Sequence, residues 1–393
     1  MKVSLLLWPD TFEDWYGPLG IDRATYLDRY EGEWSVTVAR TLQRAGVDVH
    51  LVFATLESPA TAPHRPSGAT VHFVRASSAY RAFRQAVWGH RWWKHAEPLW
   101  RVAPVLSTLS PRLLRRVADA DVCIVQDYES MRFDVAAPIL RALGRRVVAL
   151  DVGGSARPMD HALHRLALRT AHRLLAVSPV AATRVTHPDV RVWPVPVRSD
   201  VFVPGDRAAA RAELGIDDDA PLVVSVGRLH PVKGLHDLAD ACAGLECDLV
   251  LAGAGPEHDA LAARRQPRLH LPGWVSPAEA ARWYAAADVV ALASRQEGQP
   301  IAVLEAFACG RGVVATAVGG VPDVVVPGRT GWLVEPRDPD ALHGALENAL
   351  ADRATTDRYG ETGRALVLER HSLEAAGTAL LELLTPPGVL TVR

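Results

Sequence analysis

The hydrophobic and polar positions of this chain form two patterns that alternate along its length. Short apolar runs, rich in valine and leucine and bounded by glycine, proline or polar residues, predict buried strands. Longer stretches with apolar residues at helical spacing separate these runs and predict helices. The predicted strands cover residues 2–8, 47–54, 70–75, 122–125, 147–152, 174–178, 190–197, 222–226, 248–252, 270–273, 288–294, 313–317 and 331–335. Strands that alternate with helices indicate an α/β fold with parallel sheets.

The stretch 291–323 is the most informative part of the chain. It begins in the predicted strand 288–294 and passes through a turn-prone segment to Pro300, which suits the start of a helix because it has no N–H to leave unpaired. Residues 301–309 are apolar around most of the helix, so we expect a buried helix, and the strand 313–317 follows. This order forms a βαβ unit, and such units place ligands at the carboxyl ends of their strands.

Two acids lie in this apolar setting, Glu297 in the loop before the helix and Glu305 on its second turn. A carboxylate on a mostly buried helix needs a partner, and the hydroxyl groups of a ribose or another sugar would serve. The N–H groups near Ile301 and the helix dipole favour an anion, such as a phosphate, between the two acids. A structural ion pair beside an ordinary surface loop would explain the same acids equally well.

The C-terminal half resembles the family-4 retaining glycosyltransferases, through their Glu-x7-Glu signature, in the sequence EGQPIAVLEAFACGRGVVAT followed by VGGVPDVV. The resemblance implies the GT-B fold, with two Rossmann-like, doubly wound α/β domains facing across a cleft and a C-terminal helix that crosses back to the first domain. It implies that Glu297 contacts the donor sugar and Glu305 the ribose hydroxyls. We therefore expect an N-terminal acceptor-side domain at 1–198, a nucleotide-sugar-binding domain at 199–372 and the returning helix at 373–393.

Two cations flank the turn after the predicted strand 222–226. Arg228 and Lys233 can converge on one diphosphate, because arginine offers a planar fork and lysine a point charge. The matching residues of the family hold the leaving diphosphate. We therefore expect Arg228, Lys233 and Glu297 to be the catalytic residues, whereas two solvated loop cations are the alternative interpretation.

The expected donor-binding residues lie in loops and in the first two turns of the helix after Pro300. They are Gly17, Gly227, Gly253, Val275, Gly298, Gln299, Pro300, Ile301 and Glu305. The resemblance implies that Gly17, in a loop expected after the first strand, lies against the donor phosphates and the acceptor. It also implies that Val275 falls where the family reads the nucleobase, largely through backbone atoms.

The acceptor-side candidates are Tyr16, Gln126 and Asp127, which follow predicted strands. Many family members have a histidine where this chain has Gln126, and glutamine exchanges hydrogen bonds but cannot titrate. No general base is obvious, and in the family the leaving phosphate takes the acceptor proton on the same face. A double displacement would instead need a carboxylate beneath the anomeric carbon, for which Asp127 is the nearest candidate.

Composition and charge exclude several other classes of protein. The 393 residues carry a net charge of -2, so no global field favours nucleic acid. The four cysteines form no Cys-x-x-Cys pair and fall in apolar patterns, which predicts reduced core residues of a cytoplasmic protein. His161 and His164 lack partners for a metal site and are expected at the surface, and no Asp-x-Asp motif predicts a bound metal ion.

Residues 80–101 form a basic segment with several tryptophans. Such a segment is a candidate for peripheral contact with the inner face of an anionic membrane. It could also line an acceptor cleft with its indole rings, or simply pack them in the core. No apolar run in the chain approaches the roughly 20 residues that a membrane-spanning helix needs.

These features predict a metal-independent, retaining hexosyltransferase that needs no cofactor. It would move a sugar from a nucleotide-diphosphate sugar to a hydroxyl group of a glycan, a lipid or a small molecule. The alternatives are a nucleotide-sugar epimerase or hydrolase on the same fold and a non-catalytic nucleotide-sugar binder. The binder is disfavoured because all four charged donor-site residues are present, and a protein that only binds would be free to lose one.

Overall fold

A computed structural model describes residues 1–31, 34–87, 103, 105–151, 162–216 and 220–385. The chain divides into two compact units, each with its own sheet and core. The first unit comprises Met1–Val177, Ala181–Trp193 and Gly377–Arg393, and the second comprises Ser178–Val180 and Pro194–Ala376. The α/β class predicted from the sequence pattern is confirmed, whereas the domain limits at 198 and 372 stay predictions.

The first unit contains an eight-stranded sheet in its described part. Its strands are β1 (Lys2–Thr11), β2 (Asp48–Thr55), β3 (Ala60–Pro63), β4 (Thr70–Arg75), β5 (Val122–Gln126), β6 (Arg146–Leu150), β7 (Arg173–Ala176) and β8 (Val190–Val192). They lie in the order β3-β4-β2-β1-β5-β6-β7-β8, and all neighbours are parallel except β3 and β4. The order reverses between β1 and β5, so their carboxyl ends border the position where open α/β sheets bind ligands.

Helices connect and cover these strands. They are α1 (Phe12–Tyr16), α2 (Arg23–Arg29), α3 (Trp34–Arg44), α4 (Ser78–Val87), α5 (Pro111–Val117), α6 (Met131–Ala142), α7 (Ala162–Leu168) and α8 (Pro179–Thr183). Buried aliphatic side chains from the strands, α5 and α6 form the core on one face of the sheet. Burial of these apolar surfaces is the main term that stabilises the unit.

The second unit is built on a six-stranded parallel sheet within the described residues. Its strands are β9 (Leu222–Val226), β10 (Asp248–Ala252), β11 (Leu269–Gly273), β12 (Val289–Leu292), β13 (Val313–Thr316) and β14 (Gly331–Val334). Its helices are α9 (Arg207–Leu214), α10 (Leu235–Ala243), α11 (His258–Ala262), α12 (Pro277–Ala286), α13 (Ile301–Ala308), α14 (Pro339–Ala351) and α15 (Arg353–Arg370). The strand order is β11-β10-β9-β12-β13-β14, so it reverses between β9 and β12. This is the switch point of the second sheet.

The last described helix, α16 (Leu373–Leu384), joins the first unit from Gly377 onward. A Cβ on Gly377 would lie 3.2 Å from the Thr41 carbonyl oxygen on α3, which shows how closely the two helices pack. Arg173 on β7 donates a hydrogen bond to the carbonyl of Leu383. A C-terminal helix that returns to the first domain is thus confirmed.

The segment after β1 is helical and corrects the loop predicted there from its glycines. β1 continues to Thr11, and α1 and the 3-10 turn Gly17–Leu19 follow. Phe12 and Tyr16 stand one helical turn apart and are both buried, with ring centroids 4.6 Å apart. Burial of this aromatic pair overrides the turn signals of the neighbouring glycines.

The predictions for the two histidines and for the four cysteines have different outcomes. His164 is buried rather than exposed, and its Nδ1 lies 2.7 Å from Asp134 Oδ1, so the surface position predicted for it is wrong. His161 lies outside the described residues. All four cysteines are free and buried, which confirms that they are core residues.

The membrane contact predicted for residues 80–101 stays a prediction. α4 covers the beginning of that segment, and residues 88–101 lie outside the described part of the chain. None of the described helices is long and apolar enough to cross a bilayer.

Candidate active site

The loop after β9 begins with a backbone contact that glycine makes feasible. The N–H of Gly227 donates to the Ala252 carbonyl at 2.9 Å, and a Cβ on Gly253 would overlap the Gly227 carbonyl oxygen. Both glycines have positive φ angles, 153° and 156°. The loops that follow β9 and β10 therefore lie directly against each other. Arg228, the next residue in the chain, is exposed at this edge of the sheet.

Lys233 and Glu297 form an ion pair at the switch point of the second sheet. The Lys233 Nζ lies 2.6 Å from Glu297 Oε1, and the hydroxyl of Ser294 donates to the same oxygen at 2.6 Å. Only 21% of the lysine side chain and 9% of the glutamate side chain are exposed. Gly234 permits this approach, because a Cβ there would overlap the carbonyl of Ala293 at the end of β12.

This ion pair joins two residues to which the sequence assigns separate roles, one on the diphosphate and one on the sugar. The structural ion pair considered as an alternative for Glu297 is therefore present, with Lys233 as its partner. The ion pair leaves two hydrogens of the Lys233 ammonium group available to a ligand, because the group has three hydrogens to donate and Glu297 accepts one. The pair orients both side chains at the edge of the sheet where a ligand would bind.

The loop after β13 packs against the backbone of Glu297 and Gly298. A Cβ on Gly319 would overlap the Glu297 carbonyl oxygen, and the N–H of Gly320 donates to the Gly298 carbonyl at 3.0 Å. Gly319 has a φ of 54°, a conformation that favours glycine. Gln299 is close as well, because a Cβ on Gly320 would lie 3.1 Å from its Oε1. These glycines support the candidate site through backbone geometry.

Glu305 lies on the second turn of α13 and accepts a hydrogen bond from the Tyr284 hydroxyl at 3.1 Å. Tyr284 is fully buried on α12. Burial raises the pKa of Glu305 to about 7, although the hydrogen bond from Tyr284 lowers it. The carboxyl group therefore titrates near neutral pH, and its charge controls which hydrogen bonds it can accept.

The start of α13 differs from the expectation of free N–H groups near Ile301. Pro300 is the N-cap and Ile301 the first helical residue. The N–H of Ile301 already donates to the Gln299 carbonyl at 2.9 Å, and that of Val303 donates to Pro300 at 3.0 Å. An anion at this helix start would therefore not be held by the Ile301 N–H, because the tight turn after Gln299 uses it.

Val275 follows β11, and its half-buried side chain packs against the core of the second unit. Trp274 precedes it and is 67% exposed. The resemblance places Trp274 and Val275 together at the expected base-reading position, although only Val275 is predicted to contact the base. An exposed indole offers a flat apolar face on which a nucleobase can stack.

Two candidates of the first unit, Tyr16 and Gly17, lie in the helical segment after β1. Tyr16 is wholly buried, and its hydroxyl accepts a hydrogen bond from Trp8 Nε1 at 3.1 Å. Gly17 has a φ of −54°, which any residue can adopt, so the backbone requires no glycine there. Their assignments to the acceptor and donor sites stay predictions.

Gln126 ends β5 and Asp127 follows it. Arg132 lies near both Asp127 and Asp10, and no local pattern in the sequence indicates Arg132 or Asp10. Asp10 and Asp127 both act electrostatically on Arg132, which is 1% exposed. Burial raises the pKa of each acid to about 6, while Arg132 lowers it. Asp10 lies at the end of β1, and Arg132 at the start of α6, so the fold brings together residues that are far apart in the sequence.

Solved structures of other proteins share this architecture. Sucrose-phosphate synthase from Thermosynechococcus elongatus is 20% identical with a TM-score of 0.70, and the match covers 98% of each chain. Anabaena HepE in complex with UDP and glucose is 18% identical with a TM-score of 0.71, again over 98% of each chain. The chain therefore has the two-domain GT-B fold of glycosyltransferase structures.

The family of the second unit follows from its sequence. Residues 206–366 match the family model for glycosyl transferases group 1. They form a glycosyltransferase group 1 domain, which contains all the second-unit candidates described above.

Curated relatives agree with this family. A D-inositol 3-phosphate glycosyltransferase of Mycolicibacterium gilvum (strain PYR-GCK) is 35% identical over 260 residues, which cover 62% of this chain and 54% of that protein. Another of the same name, from Nocardioides sp. (strain ATCC BAA-499 / JS614), is 38% identical over 199 residues, covering 43% of this chain and 42% of the relative. The chain thus spans about half the length of the curated relatives it matches.

Proposed function

We propose that the chain is a retaining glycosyltransferase that moves a sugar from a nucleotide-diphosphate sugar to a hydroxyl group. The observation that carries the proposal is the ion pair of Lys233 and Glu297 at the switch point of the second sheet, inside a glycosyl transferases group 1 domain. Ligands of open α/β sheets bind at this position. Anabaena HepE, which shares the fold, has been solved with UDP-glucose, and this supports a nucleotide-sugar donor.

The leaving diphosphate needs cations, because negative charge grows on its oxygens as the bond to the sugar breaks. Lys233 supplies a partly buried ammonium that is already oriented by Glu297, and the exposed guanidinium of Arg228 lies at the same edge of the sheet. Both groups belong to the protein, so the proposed reaction uses no resident cofactor or divalent ion. Transfer is therefore expected to continue in the presence of EDTA.

The sugar and the ribose are oriented by carboxylates. Glu297 accepts hydrogen bonds from sugar hydroxyls, while Ser294 and Lys233 hold its Oε1 in place. Glu305 accepts from the ribose hydroxyls, and Tyr284 fixes the orientation of its carboxyl group. The acceptor attacks from the face that the diphosphate leaves, and a leaving-phosphate oxygen takes the hydroxyl proton, so the sugar keeps its anomeric configuration.

Donor affinity should weaken as the pH falls through the pKa of Glu305. The free carboxyl has its pKa raised to about 7, and hydrogen bonds from the ribose hydroxyls favour the ionised form. Binding therefore lowers this pKa, and the dissociation constant should rise by up to about tenfold per pH unit below 7. Calorimetric titration of UDP-glucose between about pH 6 and about pH 8 measures this slope.

Glu305→Gln is the matched variant for this titration, because glutamine keeps the shape of the side chain but cannot ionise. The variant should bind more weakly near pH 8 and show little dependence on pH. The same slope in the variant and in the wild type would assign the dependence to another group.

A turnover assay separates the proposed function from its alternatives. UDP-, GDP-, ADP- and dTDP-sugars are incubated with pooled polyol and glycan acceptors, and both nucleotide release and sugar products are followed by NMR. A glycosyltransferase releases the nucleotide in proportion to a glycoside whose anomeric configuration matches the donor. An epimerised sugar nucleotide would identify the epimerase, free sugar without an acceptor would identify the hydrolase, and binding without turnover would identify the binder.

A further inference from the structure

A cavity of about 670 Å³ lies on the first sheet, away from its switch point. Its described lining comes from β3 and the residue before it, from β4, and from α5 and Asp119 just beyond that helix. β2 separates β4 from β1 in the sheet, and the lining includes none of the candidates for the donor or the acceptor site. The volume falls in the range of about 300–1,000 Å³ that is typical of small-molecule sites.

Four of the lining residues are arginines, and we call this space the arginine cavity, defined by Arg75, Arg112, Arg115 and Arg116. The last three share one face of α5, with about 5–6 Å between the Cβ atom of Arg112 and those of the other two. Arg75 ends β4, and its carbonyl accepts a hydrogen bond from the Ser110 hydroxyl at 3.3 Å. This bond holds the start of α5 at the end of β4, so Arg75 and Arg112 lie at the same end of the cavity.

Three of these arginines have no counter-ion in the described part of the chain. Arg75, Arg112 and Arg115 are exposed and make no ion pair with a described residue. Asp119 is the one acid in the described lining, and its carboxylate lies 2.8 Å from the Lys2 ammonium. The charge of Asp119 is therefore already balanced, and the lining as a whole is positive.

The neighbouring stretch of sequence does not supply the missing negative charge. Residues 88–102 lie outside the described residues, and their composition is itself basic, with Arg91, Lys94 and Arg101 against the single acid Glu97. This local excess of positive charge stands in a chain whose net charge is -2.

The stability of α5 does not explain why the arginines stand together. Like charges three and four residues apart destabilise a helix. Arg112 lies in the first turn of α5, where a cation also opposes the helix dipole. A multiply charged anion in the cavity would offset both effects.

His72 shows that the positive field reaches the floor of the cavity. Its side chain is buried, with Nε2 2.7 Å from His50 Nδ1 and Nδ1 3.0 Å from the Thr61 hydroxyl. Burial lowers the pKa of His72 to about 4, and the charge of Arg116 lowers it as well. The ring is therefore neutral near pH 7 and engaged on both nitrogens, which leaves the arginines as the groups that can hold a ligand.

We propose that the arginine cavity is a binding site for a molecule that carries a phosphate ester or a diphosphate. A phosphate ester presents three acceptor oxygens and about −1.5 to −2 charges at neutral pH, and the guanidinium fork pairs with two such oxygens at once. A carboxylate carries a single charge and would balance only one arginine. The inference goes beyond the proposed function and does not rest on it, because the cavity belongs to the first unit.

The same phosphate chemistry occurs on soluble molecules and on lipid headgroups, so the test has two arms. Inorganic pyrophosphate is titrated into the full chain while NMR follows the imidazole signals of His72, which lines the cavity. Co-sedimentation compares phosphatidylcholine vesicles with and without phosphatidic acid. A saturable shift of the His72 signals identifies a soluble ligand, and binding to the phosphatidic acid vesicles alone identifies a lipid headgroup. If neither probe binds at millimolar phosphate, the proposal is overturned.

A matched pair at Thr61 tests whether the charge of the cavity is responsible. Thr61 is exposed on β3 and lines the cavity. Thr61→Glu and Thr61→Gln both lose the hydroxyl beside His72, but only the glutamate adds a negative charge among the arginines. Binding of the probe should be at least about tenfold weaker in Thr61→Glu than in Thr61→Gln. Equal affinities in the pair would contradict an anion site here.

A second pair of variants separates the cavity from general positive charge. Arg112→Gln/Arg115→Gln should weaken binding of the probe at least about tenfold, because two guanidinium groups that face the anion are lost. Arg358→Gln/Arg370→Gln removes the same charge from exposed positions of α15 in the second unit and should change binding about twofold at most. Equal losses in the two double variants would assign the attraction to net charge and overturn the site.

Discussion

Replacing Lys233 with alanine should lower the rate of glycosyl transfer by about 10²–10³-fold, the loss typical of removing one preorganised group that stabilises transition-state charge. The ammonium is proposed to meet the leaving diphosphate, and its 2.6 Å contact with Glu297 also orients the carboxylate that faces the sugar. Its removal therefore acts twice on the transition state. The fall should appear in kcat and also as a rise in KM, because Lys233 binds the diphosphate of the donor and the charge on that diphosphate grows in the transition state.

Arg295→Ala is the matched control for this prediction. Arg295 carries the same charge on the loop after β12, but it pairs with Asp237 at 3.0 Å on the surface and has no contact with Glu297 among its hydrogen bonds. Surface ion pairs contribute about 0–1 kcal/mol, so transfer should change by a few-fold at most. Equal losses in the two variants would show that general positive charge, not the position of Lys233, supports the reaction.

Replacing Gly319 with alanine should destabilise the second unit by at least about 3 kcal/mol, in the upper range for a single substitution. A Cβ there would overlap the Glu297 carbonyl oxygen, which is backbone and cannot rotate away. The φ of 54° adds the cost of a left-handed conformation, about 1–2 kcal/mol for alanine. Denaturant unfolding, followed by the transition of the second unit, measures the loss.

Gly328→Ala separates the two contributions. Gly328 has a φ of 77°, also left-handed, but no atom lies within 4 Å of a Cβ built on it. This variant should lose only the conformational cost and should keep the donor site. If both variants lost the same free energy of unfolding, the close packing of Gly319 on the loop of Glu297 would contribute nothing.

The fold was accessible from the sequence because its elements are local. The valine-rich run at 288–294 and the apolar helix after Pro300 each follow from residues within a single short window, and the structure confirms both with small shifts at their ends. The short edge strand β3 carries no such pattern. The segment 12–16 shows the limit of local signals, because its aromatic residues fold into a helix to fill a core that the neighbouring glycines do not indicate.

The candidate sites depend on pairings between distant parts of the chain. Lys233 reaches Glu297 across 64 positions, and Tyr284 reaches Glu305 across 21, so neither pairing follows from local spacing. Arg132 could not be placed beside Asp10 before the reversal between β1 and β5 was known. The sequence therefore identified Lys233, Glu297 and Glu305, but not the pairing of the first two or the hydrogen bond from Tyr284 to the third.

The most direct test of the central claim is a thermal-shift panel of UDP-, GDP-, ADP- and dTDP-sugars on the wild type, Lys233→Ala and Glu305→Ala. The claim that the second unit holds a nucleotide-sugar donor predicts that one nucleotide series raises the melting temperature of the wild type. At 100 times its dissociation constant, the ligand should add roughly 2.7 kcal/mol to the free energy of unfolding. The same series should stabilise neither variant. No shift of the wild type at millimolar ligand, or equal shifts in all three proteins, would contradict the donor site.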